Sequence, residues 1–144
     1  MPERTFVMIK PEHVNLADYI LEELRQCGTL VQQTMIERVP REIIERHYAI
    51  HRERPFYLYL VESFVDKPVV LAIYEGEGIV QKVMKQCGPT DPAKAPQDTI
   101  RGKYSTDSLE KAIAEQRPCQ NVIHRSDSPS EAEREMAVWE SYFR

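Results

Sequence analysis

Two neighbouring segments near the end of the 144-residue chain carry side chains suited to nucleophilic and acid–base work. His124 is followed by Arg125-Ser126-Asp127-Ser128, and Ser128-Pro129-Ser130-Glu131 reads as a helix start. It has a serine at the N-cap, a proline at the first helical position and a glutamate at the third. A helix N-terminus offers unpaired N–H groups and partial positive charge, which suit a phosphate. A histidine there is mostly neutral at pH 7, given an ordinary pKa of about 6.5, and is a candidate nucleophile. The plainer alternative is a histidine hydrogen-bonded to a turn. Within the helix, Ala132, Met136, Trp139 and Phe143 form an apolar stripe with Glu135 on its edge. A carboxylate turned toward a core needs a hydrogen-bond partner, unless it swings out to solvent.

Four cations sit at element boundaries: Lys10 at a strand end, Arg54 before Pro55-Phe56, Lys85 beside a long loop, and Arg101 in Thr99-Ile100-Arg101-Gly102. Singly each reads as a solvated charge. Together they would match a triphosphate, because guanidinium forks and an ammonium complement phosphate oxygens. Other motifs fail. Gly76-Glu77-Gly78 lacks the third glycine of a dinucleotide fingerprint, and no P-loop occurs. His47 and His51 have zinc-protease spacing, but Tyr48 stands where a glutamate is needed.

These residues must be positioned by alternating strands and helices. Thr5 to Lys10 predicts a buried strand, and Leu16, Ile20 and Leu24 a helix stopped by Gly28. Leu30 to Val39 predicts a second strand, Arg41 to His51 and Phe56 to Val65 two helices, and Val69 to Tyr74 a central strand, apolar throughout. A helix over Ile79 to Gln86 precedes a long, proline-interrupted loop from Gly88 to Arg101. Asp107 to Gln116 predicts a further helix and Gln120 to His124 the last strand. The order implies an α/β sandwich, helices packed on one sheet, in a single domain over residues 1–144.

Composition narrows the function. Hydrophobic residues at 42% and charged residues at 29% fit a globular chain that buries a core, about 70% of its unfolded surface at this length. A net charge of -4 argues against nucleic acid as a partner. No apolar run can span a bilayer and no secretory signal starts the chain, so no membrane partner and a cytoplasmic location are expected. Cys27, Cys87 and Cys119 have no zinc-site spacing and read as reduced thiols.

Seven ordered blocks resemble the nucleoside diphosphate kinase family: Arg4-Thr5-Phe6-Val7-Met8-Ile9-Lys10-Pro11, His47-Tyr48, Arg54-Pro55-Phe56, Pro68-Val69-Val70, Gly88-Pro89-Thr90-Asp91-Pro92-Ala93, Thr99-Ile100-Arg101-Gly102 and Asn121 through Ser128. The resemblance implies a ferredoxin-like βαββαβ core with an antiparallel sheet covered by helices. It implies ping-pong transfer of the γ-phosphate of a nucleoside triphosphate to a nucleoside diphosphate, with Mg²⁺ held mainly by the nucleotide phosphates and no direct protein ligation. His124 matches the phosphorylated nucleophile, Glu135 the carboxylate on its other nitrogen, and Ser126 the supporting hydroxyl. Lys10, Arg54, Thr90 and Arg101 match phosphate contacts, and Tyr48 an aromatic hydroxyl beside the histidine. Lys10 and Asn121 match ribose contacts, and Phe56 the ring stacked on the base with Leu60 nearby. Stacking without base-edge hydrogen bonds tolerates any base.

The chain departs from the family pattern at several places. Met84 falls where the family has a phosphate-binding arginine, with Lys85 the candidate substitute. Glu12-His13 replaces Asp-Gly, and two residues are missing after Asn15. About ten extra residues lie between Arg101 and Asn121, placed at Ser105 to Cys119, where the family's loop lines the base pocket and packs between subunits. The resemblance implies a homo-oligomer built from dimers, a tetramer or a hexamer. Met84 and the remodelled loop also leave open a nucleotide-binding regulatory relative without turnover.

Overall fold

The computed structural model describes residues 2–143. Four strands, β1 (Arg4–Ile9), β2 (Thr29–Ile36), β3 (Val69–Glu75) and β4 (Ile123–Arg125), join seven helices: α1 (Ala17–Leu24), α2 (Arg41–His47), α3 (Tyr57–Glu62), α4 (Ile79–Cys87), α5 (Ile100–Tyr104), α6 (Leu109–Ala114) and α7 (Pro129–Val138). The sheet order is β2-β3-β1-β4 and every neighbouring pair is antiparallel, the ferredoxin-like arrangement. β3 is interior and its residues Val69 to Tyr74 are all buried, because helices cover both faces.

Strand alternation divides the core. Val7, Ile9, Ala72 and Tyr74 pack on one face beneath α1 and α4, while Phe6, Met8, Val69 and Leu71 pack on the other beneath α2, α3 and α7. His124 pairs with Met8, so its ring emerges on the α2/α7 face, and Arg125 pairs with Val7 on the opposite one.

Several boundaries differ from the sequence expectation. α2 stops at His47, and a 3₁₀ turn over Ala49–His51 follows, so Tyr48 sits at a bend rather than within a helix. β2 ends at Ile36, with Val39 instead bridging to Val65. The long loop contains a 3₁₀ turn at Pro92–Lys94 and ends in α5, whose cap Thr99 accepts from the Gly102 N–H at 3.1 Å. β4 starts only at Ile123, because Val122 takes a φ of 76° and the Ile123 N–H closes on the Asn121 carbonyl at 2.9 Å. That positive-φ γ-turn is strained for a β-branched residue. It sets the direction in which Asn121 and His124 leave the backbone.

Candidate active site

The last helix positions the reactive pair. Ser128 Oγ accepts from the Glu131 N–H at 3.1 Å and Pro129 occupies the first turn, so α7 begins where its sequence signals place it. Arg134 then docks α7 onto the end of α2, donating to the carbonyls of Arg46 at 3.1 Å and His47 at 2.9 Å. With the helix so anchored, Glu135 is 3% exposed and its carboxylate faces β4. Nε2 of His124 lies 2.9 Å from Oε1 of Glu135, and Ser126 Oγ donates to the same oxygen at 2.7 Å. Ser126 is itself fixed by the backbone N–H of Phe6, which donates to its Oγ at 3.4 Å.

This arrangement selects one tautomer. A carboxylate accepting at Nε2 keeps the proton there and leaves the lone pair on Nδ1. Burial lowers the His124 pKa to about 3, reinforced by the charges of Lys10, Arg125 and Arg101, so the ring is neutral at physiological pH. Burial also raises the Glu135 carboxyl, opposed by His47, the Ser126 hydroxyl and Arg134.

His124 opens onto a cleft of about 470 Å³. Lys10, Tyr48, Phe56, Leu60, Thr90, Arg101, Asn121 and Glu135 line it with His124. Lys10 Nζ donates to Asn121 Oδ1 at 2.6 Å, and Asn121 Nδ2 donates to the Thr90 carbonyl at 3.0 Å, which ties three elements into one wall. Burial, more than any neighbour, pulls the Lys10 ammonium down to about 8. Burial raises the Tyr48 hydroxyl, which stays protonated as a donor, and its ring stands edge-on to His124 with centroids 5.9 Å apart. Arg101 is 4% exposed and donates to the carbonyls of Asn121, Gly88 and Ile123 at 3.1, 3.0 and 2.7 Å, so it braces the cleft as well as charging it.

Two expected cations stand elsewhere. Arg54 is exposed beside His51 and outside the cleft lining, and Lys85 is exposed in a separate groove at the end of α4. Residues that sequence reasoning passed over come in. His47 is buried with its ring centroid 4.5 Å from that of His124. Arg125 lines the cleft, although it reads in sequence only as the residue after the histidine. Leu109, Ala112 and Ile113 of α6 line the same cleft as Phe56 and Leu60. The only signals for these were an i, i+4 histidine pair with the wrong intervening residue, a cation adjoining the nucleophile, and an apolar helix face without a partner.

Among the described residues, His47, His124 and Glu135 alone bring three potential metal-ligating side chains together, with donor atoms within 4.8 Å of one another. Both Glu135 and the Nε2 of His124 are already engaged there. The other cleft carboxylate, Asp127, pairs with Arg125. Such a donor set suits a phosphate and fits a metal that arrives on it, rather than one caged by protein ligands.

A neutral imidazole braced by a buried carboxylate and faced by cations is an arrangement suited to phosphoryl transfer through histidine. The sequence profile of the nucleoside diphosphate kinase family matches residues 3–142. The nucleoside diphosphate kinases of Microcystis aeruginosa and Thermus thermophilus are each 40% identical to it, over 95% of this chain and 87% and 94% of their own lengths. In structure it resembles an NDP kinase from Pyrobaculum aerophilum, with a TM-score of 0.88 and 31% identity over 99% of both chains. It also resembles a transition state mimic of the Borrelia burgdorferi nucleoside-diphosphate kinase with bound vanadate and ADP, with a TM-score of 0.90 and 25% identity over 99% of this chain and 90% of that one. The chain belongs to the nucleoside diphosphate kinase family.

Proposed function

We propose that this chain, a nucleoside diphosphate kinase in activity, transfers the γ-phosphate in two half-reactions through His124. In the first, the Nδ1 lone pair attacks the γ-phosphorus of a bound nucleoside triphosphate. The N–P bond forms, the bond from phosphorus to the β-phosphate oxygen breaks, and the nucleoside diphosphate leaves with that electron pair. The Nε2 proton stays on the ring, where Glu135 offsets the positive charge that grows during attack. In the second, a terminal oxygen of an acceptor diphosphate attacks the phosphorus and the N–P pair returns to Nδ1. The observation that carries this reading is the 2.9 Å contact between His124 Nε2 and Glu135, with Nδ1 left to the cleft.

Lys10, Thr90 and Arg101 would bear on the phosphates, with Arg54 reaching them only by moving in from its exposed position. Asn121 and Lys10 would hold the ribose and Tyr48 would donate beside the ring. Phe56 would stack on the base, with Leu60 and the α6 face closing over it. Mg²⁺, held by the nucleotide phosphates rather than by protein side chains, would supply neutralisation of phosphate charge beside Lys10 and Arg101. We read the assembly as a homo-oligomer of dimers, supported by the exposed Met35 on edge strand β2 and Tyr19 on α1. Three free thiols support a reducing compartment, the cytoplasm. Steady-state kinetics test the assignment: His124→Ala should abolish turnover, while Glu135→Gln should lower kcat by about 10²-fold, the scale of one lost preorganised contact. Full activity in His124→Ala would refute it.

A further inference from the structure

Arg125 leaves β4 on the face opposite to His124, yet it lines the active-site cleft as well as the groove at the end of α4. β4 is an edge strand, so a long side chain can curl around the sheet margin from one face to the other. The side chain is 14% exposed and its guanidinium only partly satisfied. Nη1 donates to Asp127, and the buried Nε finds no acceptor among the described residues. A buried donor without a partner is costly, and a cation held at a cleft margin with spare donors is poised for an anionic ligand. Met84, where the family resemblance leads one to expect a phosphate-binding arginine, lines the same α4 groove, and Lys85 beside it is exposed there and absent from the cleft.

We infer that Arg125 is a phosphate-contacting residue of this enzyme, reaching the nucleotide phosphates around the edge of β4 and filling the place left by Met84. Asp127 holds the guanidinium at the margin in the empty enzyme, and a phosphate oxygen takes the spare donors when nucleotide binds. A guanidinium fork gives a bidentate grip that the Lys85 ammonium could not reproduce even if it reached the site. The inference rests on the cleft being the nucleotide site.

Binding of ADP and of adenosine to the full chain tests it, in the parent, in Arg125→Ala and in Arg125→Ala combined with Met84→Arg. Loss of one charge-assisted contact should weaken ADP about tenfold in Arg125→Ala and leave adenosine unchanged. The added arginine at 84 should recover most of that loss. ADP affinity within twofold of the parent, or equal weakening of ADP and adenosine, would overturn the contact. ADP affinity that stays at the single variant's level in the double variant would overturn the shared role of positions 84 and 125. Phe56→Ala serves as the separate control: ADP affinity indifferent to it would sink the cleft assignment itself.

Discussion

Trp139 Nε1 donates to Nδ1 of His47 at 2.9 Å, and that bond fixes the protonation of a second imidazole packed against the reacting one. With Nδ1 accepting, the proton of neutral His47 sits on Nε2, a buried atom without a hydrogen-bond partner among the described residues. Burial first, then the proximity of His124, lowers the His47 pKa far below the usual histidine value. His47 is therefore a fixed neutral dipole beside the His124–Glu135 pair, a positioning group rather than a proton carrier.

Replacing His47 by phenylalanine preserves most of the packing and removes the dipole. We expect kcat to fall roughly tenfold, less than for a group touching the reacting atoms, with KM for nucleotide unchanged. Trp139→Phe should cost about 1–3 kcal/mol in urea unfolding, because it strands a buried acceptor. A His47→Phe variant with parental kcat would reduce that ring to a packing element.

The pH profile follows from burial. Because His124 titrates at about 3 and Lys10 at about 8, the rate of phosphoryl uptake should run flat between pH 7 and pH 6 with no inflection near 6.5, and a fall at lower pH belongs to the raised Glu135 carboxyl. Stability should still respond. The unfolded imidazoles of His124 and His47 bind protons below about 6.5 while the folded ones resist, so the urea midpoint should drop as pH falls from 6.5 toward 4. A rate inflection near 6.5 would show that the ring is charged in the resting enzyme.

On the alkaline side Lys10, titrating at about 8, loses its charge in the free enzyme. A bound phosphate favours the ammonium, so nucleotide binding near pH 9 should take up a proton and kcat/KM should decline above pH 8. Calorimetry in buffers of different ionisation enthalpy measures that uptake. Lys10→Arg should remove it.

The segment that carries α6 is held by a bidentate pair. Arg117 Nη1 and Nη2 donate to Asp107 at 2.7 and 2.9 Å, and the Gln120 N–H donates to the same carboxylate at 2.8 Å. The Arg117 hydrogen bonds hold Asp107 well below the usual carboxylate range. Asp107→Asn should loosen α6 over the base pocket, raising KM for nucleotide several-fold with kcat unchanged. Equal loss in both constants would mean the segment supports the chemistry rather than the base.

Much of this site was legible because its signals are local. The cap and stripe of α7 place Glu135, and the uninterrupted apolar run of β3 fixes the sheet's interior. What was hidden depends on geometry that one-dimensional spacing does not carry. Lys85 and Arg54 stand at element ends like Lys10 and Arg101, but only the latter two face the cleft. α5 is too short to show a helical period, and only its cap Thr99 marks it. Gly102 is needed there because a Cβ would lie 2.0 Å from the Pro96 carbonyl oxygen, a contact between segments that no pattern announces. Val122 looks like a strand residue and instead makes the turn that starts β4 late.

The most direct measurement is the covalent intermediate. The protein is incubated with γ-labelled ATP and Mg²⁺, and the bound label is mapped and tested for discharge by a nucleoside diphosphate. Label that is acid-labile and alkali-stable, located on His124, absent from His124→Ala and removed by the diphosphate is the expected result. An unlabelled protein that still turns over, or label surviving in His124→Ala, would contradict transfer through that imidazole.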